Sequence, residues 1–329
     1  MTKQEQQTGG ALLALLIALG LIIANNQPKP TPPPPSSTTT TTATTATTAT
    51  PVAPSSTNGT VVASTLTPSG VDDTARFIAA VRAGNVVVDG PLVINDVAKL
   101  DEITDRTITF TGKGSLTRTT RNAKRVWQVL ALRNAQRITI NNLRIVGPNV
   151  EVCNWLYTPP KPTGPNDATS QTPYMIRVGY NPKFEAQHGL EVFGGSGIVV
   201  NGANIYGVSG DGVYLAGGAA NVMLNDVTTK CTGRSSISNV GSTNVVVNRG
   251  NFSESGYWIL NVEPDLTASV DRYVVNRPVI GFSNFSWLFS SGPNFSCKVT
   301  NSAVNQPQLS TPQRVTINGC VRSGLVVRP

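Results

Sequence analysis

Short apolar runs return along this chain at an almost fixed interval, each bounded by glycine, asparagine or serine. Four segments open 23 residues apart: His188-Gly189-Leu190-Glu191-Val192, Asp211-Gly212-Val213-Tyr214-Leu215, Arg234-Ser235-Ser236-Ile237-Ser238 and Tyr257-Trp258-Ile259-Leu260-Asn261. A second run follows the first three, at Ile198-Val199-Val200, Val222-Met223-Leu224 and Val245-Val246-Val247. Each of these leads to an asparagine and a third run around Ile205, Val227 or Phe252. No apolar stripe of 3.6-residue period is sustained, so the runs are strands rather than helix turns. One period predicts three short strands, which is one coil of a solenoid. The expected fold class is all-β, a parallel β-helix with three-strand coils of about 23 residues.

The pattern extends on both sides of the clean repeat. Arg106–Phe110 and Arg137–Ile145 open two earlier coils, the second with strict alternation. Beyond Tyr257 the period loosens, with strands expected at 273–275, 282–287 and 314–317. Gly70–Val81 predicts one short helix framed by Ala75, Ile78, Ala79 and Arg82, with Asp72 or Asp73 as its N-cap. Such a helix caps the open end of a solenoid, which would otherwise expose apolar interior and unpaired strand edges. The helix leads into Val86-Val87-Val88 and an Asp89-Gly90 turn.

That opening is similar to the start of pectate-lyase-type right-handed parallel β-helix proteins. The chain resembles the pectin-lyase-like superfamily over roughly residues 68–329. The resemblance implies a right-handed coil and a functional range of polysaccharide lyases, glycoside hydrolases and phage tailspike domains. Polygalacturonase-type hydrolases carry paired aspartates and a later histidine, whereas Ser209-Gly210-Asp211-Gly212 has one Asp and His188 precedes it. The calcium cluster and Arg-x-Pro motif of pectate lyases have no counterpart at a matching place. Arg234-Ser235-Ser236-Ile237 and Val262-Glu263-Pro264-Asp265 look more like motifs of uncharacterised actinobacterial and phage β-helix proteins, which implies shared architecture and no known reaction.

The first part of the chain follows other rules. Residues 11–24 form an apolar run too short for an ordinary spanning helix, which needs about 20 residues. Residues 1–26 therefore read as an uncleaved signal-anchor or a cleaved signal peptide, with a buried helix as the remaining alternative. Residues 27–63 are a Pro/Thr-rich stalk that cannot bury enough apolar area to order itself. The head spans 64–329 and carries an aromatic insertion at 148–187. This layout predicts an extracellular or cell-surface protein, secreted or held to a membrane by its N-terminal segment.

Candidate chemistry then falls on one face. Strand alternation turns Leu190/Val192, Val213/Leu215 and Leu260/Val262 inward and Glu191, Tyr214, Ser238 and Asn261 outward. The equal spacing places His188, Asp211, Arg234 and Tyr257 in a second column, with Glu263 at a strand end. Carboxylates on successive coils would sit about 5 Å apart and two coils apart about 10 Å, a range that covers glycoside hydrolysis of either stereochemistry. A lyase needs a base near sugar C5 and a cation facing the uronate, for which His188 and Arg234 are candidates.

The candidate catalytic set is thus Glu191, Asp211, Glu263, His188 and Arg234, with Tyr214, Trp155, Tyr257, Trp258 and Asn261 as substrate contacts. No cofactor and no metal are expected. Three readings stay open: a polysaccharide hydrolase or lyase, a non-catalytic glycan-binding adhesin or virion spike, and a purely structural spike.

Charge and cysteines add two expectations. Arg106–Val150 holds nine basic residues (Arg106, Lys113, Arg118, Arg121, Lys124, Arg125, Arg133, Arg137 and Arg144) and no acidic one, against a chain net charge of +8. A basic stripe outside the cell suggests an acidic glycan or lipid surface, while the compartment and the lack of a recognition motif argue against nucleic acid. Cys153, Cys231, Cys297 and Cys320 suit an oxidising compartment. Cys297 and Cys320 are one coil apart, and a Cys153–Cys231 bond would tie the insertion to the coils. Four reduced thiols are the alternative.

Overall fold

Strands of successive coils pair side by side in a computed structural model that describes residues 63–120, 127–148, 184–263, 270–281, 283, 288–290, 295–304 and 313–317. All lie within the unit Gly59–Pro329. The apolar run, nearly all of the stalk and most of the insertion, Trp155 included, lie outside the described residues. Among the described residues no helix is long and apolar enough to cross a membrane.

One sheet runs β1 (Ser64–Leu66), β2 (Val86–Val93), β4 (Thr104–Thr117), β6 (Gln136–Val146), β8 (Ser196–Tyr206), β10 (Ala220–Thr232), β12 (Thr243–Asn248), β15 (Val270–Asn276) and β18 (Phe295–Val304). It continues through β16 (Val279–Ile280) to β13 (Asn251–Ser255), which also pairs with β10. The other runs β3 (Ala98–Asp101), β5 (Leu130–Arg133), β7 (Leu190–Phe193), β9 (Val213–Ala216), β11 (Ile237–Val240), β14 (Leu260–Val262) and β17 (Leu288–Ser290). Among the described residues every pairing is parallel except that of β19 (Gln313–Ile317) on β18. The fold is a right-handed parallel β-helix. Inward positions form apolar ladders such as Leu130–Leu190–Val213–Ile237–Leu260, all fully buried.

Two of the three strands expected per coil are one bent strand in β6, β8 and β10. The bends fall at Asn142, Gly202 and Asp226, all with φ between 54° and 68°. Beside them Asn141, Asn201, Asn225, Asn248 and Asn276 form an amide ladder with hydrogen bonds of 2.8–3.1 Å. Each amide N–H satisfies the carbonyl of the coil before it, so one deletion strands a group on both sides. Asn225→Ala is expected to cost about 1–3 kcal/mol, read as a lower denaturant midpoint at unchanged slope.

The spacing of coils is not uniform on the seven-stranded sheet. Leu190 pairs with Val213, Val213 with Ile237 and Ile237 with Leu260, steps of 23, 24 and 23 residues. The extra residue lies between β9 and β10, in the Gly217-Gly218 turn, where both glycines take positive φ. The column expected from equal spacing therefore splits, which bears directly on the site.

The capping helix α1 spans Thr74–Ala83 and buries Phe77 and Val81, not the expected Ala75/Ala79 face. The larger i, i+4 apolar pair covers the first coil, and the alanines face solvent. Asp73 makes no side-chain cap bond to the helix. Its carboxylate accepts instead from the Val93 N–H at 3.2 Å, tying the helix start to β2, while Asp72 accepts from the Thr74 N–H at 3.0 Å.

Stacking brings four of the six described basic residues of the window, Arg106, Arg118, Arg133 and Arg137, to acceptors on other elements. Arg118 is buried, lies 3.9 Å over the Trp127 ring and donates to the carbonyls of Ile94, Asp96, Trp127 and Gln128. Burial lowers its pKa to about 10, against the opposing pull of Asp96 and Asp72. Arg106 caps the last carbonyls of α1, at Val81 (2.9 Å) and Arg82 (3.0 Å). Arg137 is paired with Asp105 and Arg133 with Glu191. Arg121, Lys124 and Arg125 lie outside the described residues. Cys231 is buried and disulfide-bonded. Cys153 and Cys320 lie outside the described residues, as does the Cys297 side chain, and both expected pairings with them.

Candidate functional site

The outward ladder of the seven-stranded sheet pairs Glu191 with Tyr214, Tyr214 with Ser238 and Ser238 with Asn261, the column expected from alternation. Although they point away from the core, Glu191, Ser238 and Asn261 are buried. Just before these strands the one-residue slip takes effect. Backbone bonds from Gly189 to the Asp211 carbonyl and from Gly212 to that of Ser235 align His188, Asp211 and Ser235. Arg234 falls in the next row, with Gln187, Gly210 and Tyr257.

The slip brings Arg234 to the flank of Asp211. Nη1 of Arg234 lies 3.5 Å from Oδ2 of Asp211, and Nδ1 of His188 lies 3.3 Å from the same oxygen. Oδ1 accepts the Ser235 N–H at 2.8 Å. Asp211 is fully buried, and Oδ2 accepts no hydrogen bond among the described residues. Burial pushes its pKa up, but Arg234, His188 and the Ser235 N–H outweigh that and hold it below the ordinary aspartate value. Asp211 is a carboxylate kept ionised out of water, which costs several kcal/mol unless compensated.

His188 carries two competing contacts on one nitrogen. Nδ1 accepts the Asp211 N–H at 3.0 Å, which places the proton on Nε2. A proton on Nδ1 would instead face Oδ2 and leave Nε2 with a lone pair. A single nitrogen cannot do both, so the backbone and the carboxylate of Asp211 favour opposite tautomers of the ring. His188 is the only histidine, and ¹⁵N labelling of that ring is expected to show the Nε2–H tautomer at rest. A resting Nδ1–H signal would contradict the arrangement.

Tyr214 stacks on the imidazole, with ring centroids 4.3 Å apart and planes 1° from parallel. Burial, then the Asp211 charge, pushes its pKa up to about 12. Its hydroxyl therefore stays protonated through the neutral range and is a donor there, not a phenolate base. The glycines around Asp211 make this packing possible. A Cβ at Gly210 would lie 2.9 Å from His188 Nδ1 and 2.6 Å from the Glu185 carbonyl, and one at Gly212 would lie 2.7 Å from the Ser236 carbonyl. Gly210→Ala is expected to displace the imidazole and lower the melting temperature by several degrees. An unchanged ¹⁵N spectrum and melting temperature would contradict it.

The three carboxylates do not converge. Glu191 is occupied by Arg133, whose Nε and Nη2 reach Oε1 at 2.9 and 2.8 Å, and by Gln128, which donates to Oε2. Glu263 follows β14 and accepts from Asn261 Nδ2 at 2.9 Å. Asp211 precedes β9 and Glu263 follows β14, so their backbones are separated by ~17 Å along the strand direction as well as ~10 Å across two coils. The spacing read from coil number alone omitted the first term. Tyr257 and Trp258 pack together, ring centroids 5.1 Å apart. Among the described residues no group of three His, Cys, Asp or Glu is placed to hold a metal.

Gln128 and Arg133 are the partners sequence reasoning missed. They belong to the coil before β7, but Leu130 pairs with Leu190, so the insertion stretches one coil step to 60 residues. The Leu130-Ala131-Leu132 alternation was the available signal.

No protein-family model and no curated protein matches the chain. Among solved structures, the Agl-KA catalytic domain is similar at 12% identity, over 74% of this chain and 57% of that chain, with a TM-score of 0.24. The match thus spans little more than half of that chain. The fold assignment rests on the strand pairings themselves.

Proposed function

We propose that the head is a polysaccharide-active enzyme of the lyase type, with His188 rather than a carboxylate pair as its proton-transfer group. The observation that carries this reading is the fully buried Asp211 carboxylate, held between Arg234 and His188. Buried, shifted charges with specific partners gather at functional sites. Paired-carboxylate hydrolysis is disfavoured because Glu191 is bound to Arg133 and Gln128, and Glu263 stands far from Asp211.

In the elimination, Nε2 of His188, in the Nδ1–H tautomer, takes the proton at C5 of a uronate residue. The C4–O bond breaks, the electron pair from the C5–H bond forms the C4=C5 double bond, and the departing oxygen takes a proton from the Tyr214 hydroxyl. Asp211 stabilises the imidazolium, and Arg234 faces the substrate carboxylate. Exchange with water restores both side chains. Under the same proposal the head works outside the cell, carried by the N-terminal apolar segment and stalk, on an acidic glycan.

One observation favours the non-catalytic alternative of a glycan-binding surface protein: His188 is only 3% exposed, and the same charges would then pin adjacent coils. The full chain incubated with polygalacturonate, alginate and a neutral glucan separates the two. Cleavage of an acidic polymer that His188→Gln stops is expected. Retention of a polymer without cleavage would overturn the enzyme reading.

A further inference from the structure

Cys231 is buried and disulfide-bonded, and the chemistry above does not use it. Its place in the stack decides which cysteine it can be bonded to. Parallel pairing aligns Val146 with Tyr206 and Tyr206 with Lys230. The next residues, Gly147, Gly207 and Cys231, therefore fall in one column. The Gly147 N–H donates to the Tyr206 carbonyl at 2.8 Å and the Gly207 N–H to the Lys230 carbonyl at 3.1 Å. Two strand steps, ~10 Å, separate Gly147 from Cys231. Gly147 is also where the chain leaves β6 for the insertion, and Cys153 comes six residues later. Six residues span up to ~20 Å, so Cys153 is within reach of Cys231.

The other two cysteines are out of reach. Cys297 pairs with Tyr273, Tyr273 with Val245 and Val245 with Val222. Those three steps put the Cys297 backbone ~14 Å along the stack from β10, and Val222 lies nine residues before Cys231. A disulfide needs Cα atoms about 4.4–6.8 Å apart. Cys320 follows Ile317 by three residues, a reach of ~10 Å. Ile317 pairs with Val299 on the far side of β18, a fourth step and ~19 Å from β10. β19 runs antiparallel to β18, from Val304 back to Val299, and so heads toward Cys297.

We infer that Cys231 is joined to Cys153, and Cys297 to Cys320. Each bond forms when two thiols pass two protons and two electrons to a disulfide oxidant, which leaves as two thiols. The first bond fastens the insertion to the end of β10, three residues before Arg234. Gly233 holds that short link close to the preceding coil, since a Cβ there would collide with the Ser209 carbonyl oxygen. The cross-link thus anchors the insertion next to the segment that brings Arg234 to Asp211. The inference does not depend on the head being an enzyme.

The test is mass spectrometry of the full chain, treated with an alkylating agent in denaturant without reductant and then digested with trypsin. Arg177, Arg234 and Lys298 fall between the cysteines, so each is released on its own peptide. The Cys231 peptide is expected to be joined to that of Cys153, and the Cys297 peptide to that of Cys320. A Cys231 peptide joined to either of the other two, or recovered alkylated, overturns the inference. Cys153→Ser is expected to leave one alkylated thiol, at Cys231, with the Cys297–Cys320 link intact. It is also expected to lower the melting temperature by several degrees, because a closed loop on the order of 80 residues is opened. An unchanged melting temperature would overturn the anchoring.

Discussion

Asp211→Asn is expected to lower the elimination rate by about three to four orders of magnitude while leaving the coil stack intact. The change is isosteric, and the new amide keeps an oxygen for the Ser235 N–H now bound at 2.8 Å. What disappears is the charge beside Nδ1 of His188. Without it the Nδ1–H tautomer and the imidazolium both lose their stabilising partner, and an amide N–H facing Nδ1 would lock the proton on Nε2. Removal of an orienting carboxylate beneath a catalytic histidine has an effect of that order in enzymes that use one. Polymer cleavage with purified variant is the measurement, and a loss of less than about tenfold would contradict the role given to Asp211.

The second large effect concerns stability. Arg234→Met removes a cation 3.5 Å from a fully buried carboxylate. Breaking such a pair from one side typically costs about 3–5 kcal/mol, because the remaining charge is left uncompensated. The pH dependence follows from the direction of the shift. In the wild type the Asp211 pKa is below the ordinary 3.8, so its contribution to stability is present above that value and is lost as pH falls through the folded-state value. The variant lacks the largest of the influences that lower this pKa, so less stability is expected to be lost through this group on acidification. The deficit between the two proteins should narrow as the pH is lowered, and Asp211→Asn added to Arg234→Met should recover most of it. Urea unfolding of the three proteins at neutral and acidic pH checks this. A deficit independent of pH would place the effect of Arg234 elsewhere.

Much of this arrangement was legible in the sequence, for a physical reason. A two-residue period fixes which side chains leave the core, so the outward column of Glu191, Tyr214, Ser238 and Asn261 could be read directly. The asparagines that recur after each second run stack for the same reason, one coil on the next. What the sequence could not supply was register. An additional residue at Gly217-Gly218 moves every later position by one on the neighbouring strand, and this carried Arg234 out of the His188 row and onto the flank of Asp211. The insertion hid the pairing of Leu130–Arg133 with β7, and with it the contacts of Gln128 and Arg133 to Glu191. Those two side chains decide whether Glu191 is a free carboxylate or a satisfied one. Charge counted along the chain omits pairing across coils, because β-helix neighbours lie a coil away. Arg118, Arg133 and Arg137 each meet their acceptor on another coil.

A parallel time course of reducing ends and of ultraviolet absorbance from unsaturated ends, with wild-type protein on an acidic polymer, separates elimination from hydrolysis. Elimination produces one of each per bond broken, so the two signals are predicted to grow in equal molar amounts. Reducing ends without absorbance would make the protein a hydrolase and take the proton-transfer role from His188. Silence in both signals on every polymer that the protein binds would leave the Asp211 cluster as a pin between coils.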